Sequence, residues 1–193
     1  MKIILTVFVS YLLGSFPSGY ILARLFYGKD LRKEGSGNVG TLNSLRVTRS
    51  KFLSIAVLII DVAKGYFALL IASLVIIPDY FIVPALAVII GHMYPVWLGG
   101  RGGRGLATLA GIFLFLKPEI VGIWWLIFGL LYVLMQKYII AGMIALFLVN
   151  IFTAFFFNLS LFLILSACSM IVVLKYIPRI TEELSGIKVM KGD

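Results

Sequence analysis

Apolar runs long enough to cross a lipid bilayer occupy most of this 193-residue chain, and they constrain its fold more than any other feature. Hydrophobic residues make up 62% of the sequence and charged residues 13%, with a mean hydropathy of +1.10. A soluble domain is roughly 45–50% apolar and about 25% charged. Lipid admits helices or closed barrels, and apolar runs without alternation favour helices. The sequence therefore predicts an all-α fold, a polytopic helical bundle integral to a membrane.

About seven spans are predicted, since a crossing needs about 20 apolar residues. The fourth run is too short to cross unless it tilts, continues into the preceding loop or stops half-way. A five-span arrangement with the two short segments re-entrant is the alternative. We expect residues 1–193 to form one membrane domain. The predicted spans are 3–26, 52–77, 80–98, 106–117, 119–136, 138–157 and 159–177.

The first apolar run resembles a signal peptide over residues 3–13, where it follows Lys2. The apolar stretch resumes after Gly19, however, and continues well beyond the length of a signal peptide. We therefore interpret it as one helix that is kinked near Pro17.

The net charge of +9 is unevenly divided between the two predicted sides of the membrane. The loops at 27–51 and 99–105, residue 137 and the C-terminal tail carry nearly all of the Lys and Arg residues. Cytoplasmic loops carry such an excess, so both loops and the C-terminus are expected in the cytoplasm and the N-terminus outside. The location is then the cell (inner) membrane. This orientation bias explains the positive charge better than nucleic-acid binding does.

Two glycine-rich, basic segments interrupt the apolar runs. The first glycine segment, residues 35–40, reads Gly-Ser-Gly-Asn-Val-Gly, and the second, residues 99–105, reads Gly-Gly-Arg-Gly-Gly-Arg-Gly. Both match G-x-G-x-x-G, but a dinucleotide site also needs a parallel sheet, for which this chain has no room, and neither ends as a Walker loop does. Glycine lets backbone N–H groups turn toward an anion, and arginine offers a fork of donors to phosphate. The two segments predict a phosphate-bearing substrate at the bilayer surface.

The second glycine segment leads into a helix predicted to begin near Leu106, whose first N–H groups and dipole favour an anion. Arg101 and Arg104 flank that point and are expected to contact phosphate, with a role as cytoplasmic anchors as the alternative. Small polar residues beside the first glycine segment could serve turn geometry without any ligand. These residues are Ser36, Asn38, Thr41 and Asn43.

Asp61, Lys64 and His92 are ionisable residues inside the second and third predicted spans. Asp61 and Lys64 are one helical turn apart, so they share a face, and charges in hydrocarbon are normally paired and turned inward. They either pair structurally or line the polar site. His92, the single histidine, lies a few residues before the second glycine segment, where it could transfer a proton or serve as a hydrogen-bonding residue. Neither a metal nor a cofactor is implied, because carboxylates and histidines are not clustered.

The order and spacing of several motifs resemble those of the bacterial acyl-phosphate-dependent glycerol-3-phosphate acyltransferases, the PlsY family. The resemblance covers about residues 10 to 110, and beyond that it depends on hydropathy and a weak echo around Pro178-Arg179-Ile180. The matching motifs are Gly14-Ser15, residues 35–46, Asp61-Val62-Ala63-Lys64-Gly65, Gly91-His92-Met93-Tyr94-Pro95-Val96 and residues 102–108.

The resemblance implies a seven-span membrane enzyme with a cytoplasmic active site. It would transfer a fatty acyl group from acyl phosphate to the sn-1 hydroxyl of glycerol-3-phosphate, giving lysophosphatidic acid and phosphate for phospholipid biosynthesis. Membrane lipid and the soluble enzyme that forms acyl phosphate (PlsX-like) are the implied partners. The expected catalytic residues are His92, Ser36 and Asn43. The expected substrate-binding residues are Gly37, Asn38, Arg46, Arg101, Gly102, Gly103, Arg104, Gly105, Thr108, Asp61, Lys64 and Arg179.

The chain departs from the family pattern at three places. Arg101 and Arg104 replace two lysines, which keeps the charge but changes the contact geometry. Thr41 is displaced by one position from the usual threonine. Most of the C-terminal His-Arg-x-Asn-Ile-x-Arg motif is absent, because its His, Asn and last Arg positions hold Tyr176, Arg179 and Glu182. A divergent homologue with altered substrate or lost activity, or a transporter of small phosphate anions, therefore remains an alternative.

Overall fold

The computed structural model describes residues 1–185. All regular secondary structure in that range is helical, and it contains no strand. Within that range, six single helices or runs of consecutive helical segments are long and apolar enough to cross a membrane, and a shorter apolar helix lies at Leu106–Leu116. The expected all-α membrane bundle is thus confirmed, with the fourth of seven predicted runs as the short one. The α-helices are α1 (Lys2–Ser15), α2 (Ser18–Tyr27), α3 (Thr41–Thr48), α4 (Lys51–Ser73), α5 (Ile82–Met93), α6 (Leu106–Leu116), α7 (Pro118–Met135), α8 (Tyr138–Phe156) and α9 (Leu159–Ser185), and 3-10 turns cover Pro78–Tyr80 and Val96–Leu98.

The first span is broken, as the sequence predicts. Helix α1 ends at Ser15, and α2 begins at Ser18 directly after Pro17. Proline has no N–H group to donate and its ring clashes with the preceding turn, which favours a break in the helix at this point. The break leaves the Phe16 carbonyl outside the helical ladder and available to another partner.

Helix α3 lies in a stretch that the sequence analysis treats as a loop. It begins after Gly40, whose backbone is extended, and ends at Arg49 in a left-handed conformation with φ of 56°. Its sequence is rich in Ser, Thr and Asn, which favour turns over helix interiors. Ser50 then caps α4 by accepting a hydrogen bond from the backbone N–H of Leu53 at 3.2 Å.

The chain divides into two compact units, the first covering Met1–Phe115 and the second beginning at Leu116. In the first unit, glycines let helix backbones approach closely. A Cβ at Gly14 or Gly91 would overlap backbone atoms where α1 meets α5, and a Cβ at Gly65 or Gly111 would do so where α4 meets α6. Small residues at such crossings are typical of helix packing in membranes. The expectation of a single domain stays a prediction.

The second unit contains α7, α8 and α9, of which α8 packs against both of the others. A buried polar cluster joins α8 to α9, since the Asn150 amide donates to Ser169 Oγ at 3.0 Å and accepts from Ser166 Oγ at 3.1 Å. Helix α9 continues through Pro178 to Ser185 and therefore extends beyond the predicted end of the last span at residue 177.

Candidate active site

The first glycine segment forms a tight turn between α2 and α3. Gly35 and Gly37 both have left-handed backbones, with φ of 62° and 68°, a region that L side chains rarely adopt. The Gly37 N–H donates to the Glu34 carbonyl at 3.1 Å, and the Gly40 N–H donates to Asn38 Oδ1 at 2.8 Å. This local bonding fixes the turn that leads into α3.

Asn43, buried in α3, holds this turn through its carboxamide. Its Oδ1 accepts from the Ser36 N–H at 2.7 Å, while its Nδ2 donates to the Leu31 and Glu34 carbonyls at 3.1 and 3.0 Å. Asn43 is therefore satisfied by backbone groups on both sides of the turn. Its effect on a bound ligand would pass through the position of Ser36, which is half-buried.

The stretch before the first glycine segment carries an ion pair. The Arg32 guanidinium binds Asp30 through Nε and Nη2, at 3.0 and 2.8 Å, and lies 4.6 Å above the Tyr20 ring. These hydrogen bonds from Arg32 lower the pKa of Asp30 to about 2. The pair thereby fastens the loop to α2 through Tyr20.

The second glycine segment bonds back onto the C-terminal end of α5 and the residues after it. The N–H groups of Gly102 and Gly103 donate to the Met93 and His92 carbonyls at 3.1 and 3.0 Å. Gly99, Gly100 and Arg101 likewise donate to carbonyls between residues 95 and 98. Because these five N–H groups are bonded within the protein, the anion-binding capacity lies with the arginine side chains and the start of α6.

A buried ionic network lies beside this segment. Asp61 Oδ1 accepts from Lys64 Nζ at 2.8 Å and from Ser18 Oγ at 2.7 Å, and Lys64 Nζ also donates to the Phe16 carbonyl at 3.3 Å. The side chains of Asp61 and Lys64 are 2% and 6% exposed, so both charges depend on these partners. The network ties α4 to the break between α1 and α2.

His92 lies between this network and the second glycine segment. Its Nδ1 is 3.7 Å from Asp61 Oδ1. On the opposite edge, a Cβ added at Gly103 would overlap the imidazole atoms Nε2, Cε1 and Cδ2. The ring is thus packed between a carboxylate and glycine backbone.

The two glycine segments are held at one place in the first unit. Leu98, just before the second segment, packs in one buried cluster with Ala23, Leu31 and Val39 from around the first. Val39 also lines a small pocket whose other walls come from the polar network and the helix break. That pocket is lined by Gly14, Ser15, Phe16, Pro17, Ser18, Val39, Asp61, Lys64, His92 and Pro95.

The remaining predicted site residues are placed as follows. Arg46 on α3 and Arg101 are exposed, whereas Arg104 is half-buried. Thr108 lies in the first turn of α6, fully buried, and its hydroxyl forms no hydrogen bond within residues 1–185. Arg179 belongs to the second unit, where it pairs with Glu182. The C-terminal echo reaches Gly186, which lies outside the described residues.

Sequence reasoning missed Ser18, the hydroxyl that bonds Asp61, and the Phe16 carbonyl that bonds Lys64. A signal was present, since small polar residues flank Pro17 inside an apolar span. A helix broken there must satisfy its freed backbone groups with polar partners, and Asp61 and Lys64 are the charged residues of the next span.

Comparison with known proteins gives a family match over nearly the whole chain. The family model described as glycerol-3-phosphate acyltransferase matches residues 4–186. A glycerol-3-phosphate acyltransferase of Pelagibacter ubique is 42% identical over 112 residues, which are 58% of each chain. Glycerol-3-phosphate acyltransferase 2 of Moorella thermoacetica is 37% identical over 155 residues, 80% of this chain and 79% of that one. The match spans about three fifths of the length of two relatives: it covers 58% of the Pelagibacter protein and 61% of a glycerol-3-phosphate acyltransferase of Macrococcus caseolyticus.

Two solved structures are similar to the whole fold. The crystal structure of PlsY, an integral membrane glycerol 3-phosphate acyltransferase, in its glycerol 3-phosphate form has a TM-score of 0.88 at 28% identity and covers 100% of this chain and 96% of its own. The lysophosphatidic acid form has a TM-score of 0.85 at 26% identity, covering 96% and 93%. The likeness therefore includes the divergent C-terminal third.

Proposed function

Because this chain belongs to the glycerol-3-phosphate acyltransferase family, we propose that it transfers a fatty acyl group from acyl phosphate to the sn-1 hydroxyl of glycerol-3-phosphate. The products are lysophosphatidic acid and phosphate. The observation that carries the proposal is that Val39 of the first glycine segment and Leu98, just before the arginine-bearing second segment, share one buried cluster in a chain with membrane-length apolar helices. The similar PlsY structures hold glycerol 3-phosphate and lysophosphatidic acid, which are an acceptor and a product of this kind.

Both substrates bring a phosphate, and the site offers two places where anions are favoured. Each glycine segment leads into a helix, α3 or α6, whose first-turn N–H groups point toward the segment. Arg46 lies on α3, and Arg101 and Arg104 precede α6. The guanidinium groups supply bidentate donors to phosphate oxygens. These groups together would hold the two phosphates side by side.

Two buried hydroxyl groups support a polar ligand or water at this site. Ser15 Oγ and Thr108 Oγ1 form no hydrogen bond within residues 1–185. A buried hydroxyl without a partner costs about 1–3 kcal/mol, so such groups commonly mark a bound water or ligand. Ser15 lines the small pocket, and Thr108 lies in the first turn of α6.

The reaction follows from positioning and charge neutralisation. The sn-1 oxygen attacks the acyl carbonyl carbon, the bond from that carbon to the phosphate oxygen breaks, and the phosphate leaves with the bonding electrons. The hydroxyl proton passes to a phosphate oxygen of one of the substrates. Acyl phosphate carries a good leaving group, so no covalent enzyme intermediate is needed. Ser36 would touch the acceptor, and Asn43 would hold Ser36 in place.

An apolar groove beside the polar pocket could hold the acyl chain of the donor. Phe16 and Trp97 at its edge are 46% and 63% exposed, which places them in contact with lipid if the helices span a bilayer. The chain of the donor would enter here laterally, with its phosphate toward the glycine segments. The groove is lined by Phe16, Pro17, Tyr20, Ile21, Trp97 and Leu98.

The same proposal sets the location. The protein would lie in the inner membrane with both glycine segments and the C-terminus in the cytoplasm, as the distribution of Lys and Arg indicates. Acyl phosphate would then come from a soluble PlsX-like enzyme. In the divergent C-terminal motif, Arg179 would serve the substrate only if it left Glu182.

The test is synthesis by purified protein supplied with acyl phosphate and labelled glycerol-3-phosphate. We expect labelled lysophosphatidic acid, and we expect Arg104→Ala to raise the KM for glycerol-3-phosphate about tenfold or more, the value of one charged hydrogen bond. Arg104→Lys keeps a point charge, so its KM for glycerol-3-phosphate should lie between the values of the wild type and of Arg104→Ala. Arg24→Ala removes an exposed cation at the end of α2 and is the matched control.

Failure to form product would refute the proposed enzyme. Uptake of labelled glycerol-3-phosphate into sealed vesicles without product would support a transporter instead. Absence of both activities would support a divergent homologue that has lost catalysis. Unchanged kinetics in the Arg104→Ala variant would show that Arg104 does not bind the substrate.

A further inference from the structure

We infer that Asp61, Lys64 and His92 form a positioning unit that fixes the second glycine segment, and that His92 does not carry the proton of the reaction. The inference rests on the proposed function and assigns a role to its buried ionic network.

Both charged groups of the Asp61–Lys64 pair bind partners within the protein. Asp61 Oδ1 accepts from both Lys64 Nζ and Ser18 Oγ, and Lys64 also donates to the Phe16 carbonyl. These contacts join α4 to the break between α1 and α2. Pairing on this scale is what makes a lysine and an aspartate tolerable among apolar helices.

The imidazole of His92 transmits that fixed position to the loop. Its Nδ1 edge faces Asp61, with Lys64 as the other charged group of the network, and its Nε2 edge is covered by Gly103. A general base must come within about 2.6–3.2 Å of the group that it deprotonates. The Gly103 backbone lies against the Nε2 edge from which a substrate hydroxyl would have to approach, so the ring acts as a support for the segment.

The backbone of His92 completes the attachment. Its carbonyl accepts from Gly103 N–H at 3.0 Å, and the next carbonyl, Met93, accepts from Gly102 N–H at 3.1 Å. The segment is therefore held by the same residue through both main chain and ring. A rotation of the ring would displace Gly103 and with it the neighbouring Arg104.

The same turn of α4 also holds the far end of the segment. A Cβ at Gly65, next to Lys64, would overlap the Thr108 carbonyl of α6. One helix turn later, Gly111 approaches the Val62 carbonyl equally closely. Residues 61–65 thus contact His92 on one side and α6 on the other. Arg104, which lies between these two contacts, is thereby fixed relative to the first turn of α6.

The first experiment measures the loop directly by amide hydrogen exchange of the full chain in detergent. His92→Ala removes the supporting ring and should speed exchange at Gly102 and Gly103 about tenfold or more, as expected when buried bonds lose their support. Asp61→Asn keeps the shape but weakens the network, and should give a smaller increase. Peptides from α8 and α9 should be unchanged.

The second experiment separates positioning from proton transfer. His92→Gln keeps a polar, planar group near Nε2 but cannot act as an acid or base. We expect it to retain kcat within about threefold with an unchanged kcat–pH profile, whereas a lost general base costs about 100-fold or more. His92→Ala should raise the KM for glycerol-3-phosphate about tenfold because Arg104 is displaced.

Asn150→Ala is the matched control, since it removes a buried polar side chain from the second unit. It should lower thermal stability without changing KM or exchange at residues 102–103. A fall of kcat by about 100-fold in both His92 variants, with loss of one limb of the pH profile, would overturn the inference. Faster exchange without a change in KM would also overturn it, as would unchanged exchange in His92→Ala.

A failure of the proposed reaction can be distinguished from a failure of the positioning role. If the wild-type protein forms no lysophosphatidic acid, the proposed reaction fails. The exchange rates at Gly102 and Gly103 then still decide whether His92 and Asp61 hold the segment, and protection of those amides by added glycerol-3-phosphate decides whether the segment binds it.

Discussion

The Oδ1 atom of Asn43 accepts a hydrogen bond of 2.7 Å from the backbone N–H of Ser36, which lies seven positions earlier in the chain. The same carboxamide donates to the carbonyls of Leu31 and Glu34, so one buried side chain closes the turn from both sides. A group that must accept once and donate twice can be replaced by very few side chains.

We expect Asn43→Asp to be more damaging than Asn43→Ala. An aspartate could still accept from Ser36, but its second oxygen would face two carbonyls without a proton to share, and its charge would be buried. Acyltransferase kcat/KM should fall about 100-fold for Asp and about 10-fold for Ala, corresponding to about 1–3 kcal/mol for an unsatisfied buried group. The measurement is steady-state kinetics with both substrates varied.

Leu42→Ala is the control for that series, because Leu42 neighbours Asn43 on α3 but is 41% exposed. It should keep kcat/KM within about threefold, as surface substitutions usually do. Equal activity in the Asp and Ala variants would show that the two donated hydrogen bonds do not position the turn.

Sequence reasoning succeeded where a short stretch decides the outcome alone. The membrane helices follow from apolar runs, the break at Pro17 follows from a missing N–H, and Asp61 and Lys64 share a face because they are three residues apart. The sharing of Asp61 between Lys64 and His92 depends on how α4 and α5 pack. Local sequence does not specify that packing.

The destination of the glycine N–H groups was the part that sequence could not predict. A glycine-rich stretch before a helix is compatible with an anion cradle, and it is equally compatible with bonding to the preceding helix. In the structure Gly102 and Gly103 donate to Met93 and His92, because the last carbonyls of α5 have no partner within the helix. The start of α6 is then the part of this backbone that favours an anion.

Gly103→Ala should raise the KM for glycerol-3-phosphate and leave the helices intact. A methyl group there would overlap the imidazole of His92, so the segment must move away from α5. We expect at least a tenfold rise in KM, equivalent to about 1.4 kcal/mol of lost binding. Gly129→Ala is the matched control, since a Cβ at Gly129 meets nothing within 4 Å, and it should if anything stabilise α7. Equal kinetics of the two variants would contradict the contact with His92.

The Asp30–Arg32 pair should make the loop insensitive to pH in the physiological range. The pKa of Asp30, about 2, lies below the ordinary value of 3.8 for an aspartate, so the stabilisation is fully present above about pH 4 and is lost as the pH falls through 2. The Tm of wild type in detergent should exceed that of Asp30→Asn by about 2 °C, roughly constant from pH 5 to 8. The difference should shrink below pH 4. If the Tm difference disappeared between pH 7 and 5, the stabilisation would depend on the titration of a group other than Asp30.

Glu183 should stabilise the second unit from the end of α9. Its two carboxylate oxygens accept from the N–H groups of Ile139 and Ile140, at 3.4 and 2.9 Å, in the first turn of α8. Those N–H groups have no helical partner, and a negative charge at a helix N-terminus is favourable. Glu183→Ala should therefore lower the Tm by about 5 °C, from a loss of about 1–3 kcal/mol, and should speed amide exchange at Ile139 and Ile140. Glu119→Gln removes an exposed charge from the first turn of α7 and is the control. An equal Tm for the two variants would show that Glu183 does not hold α8.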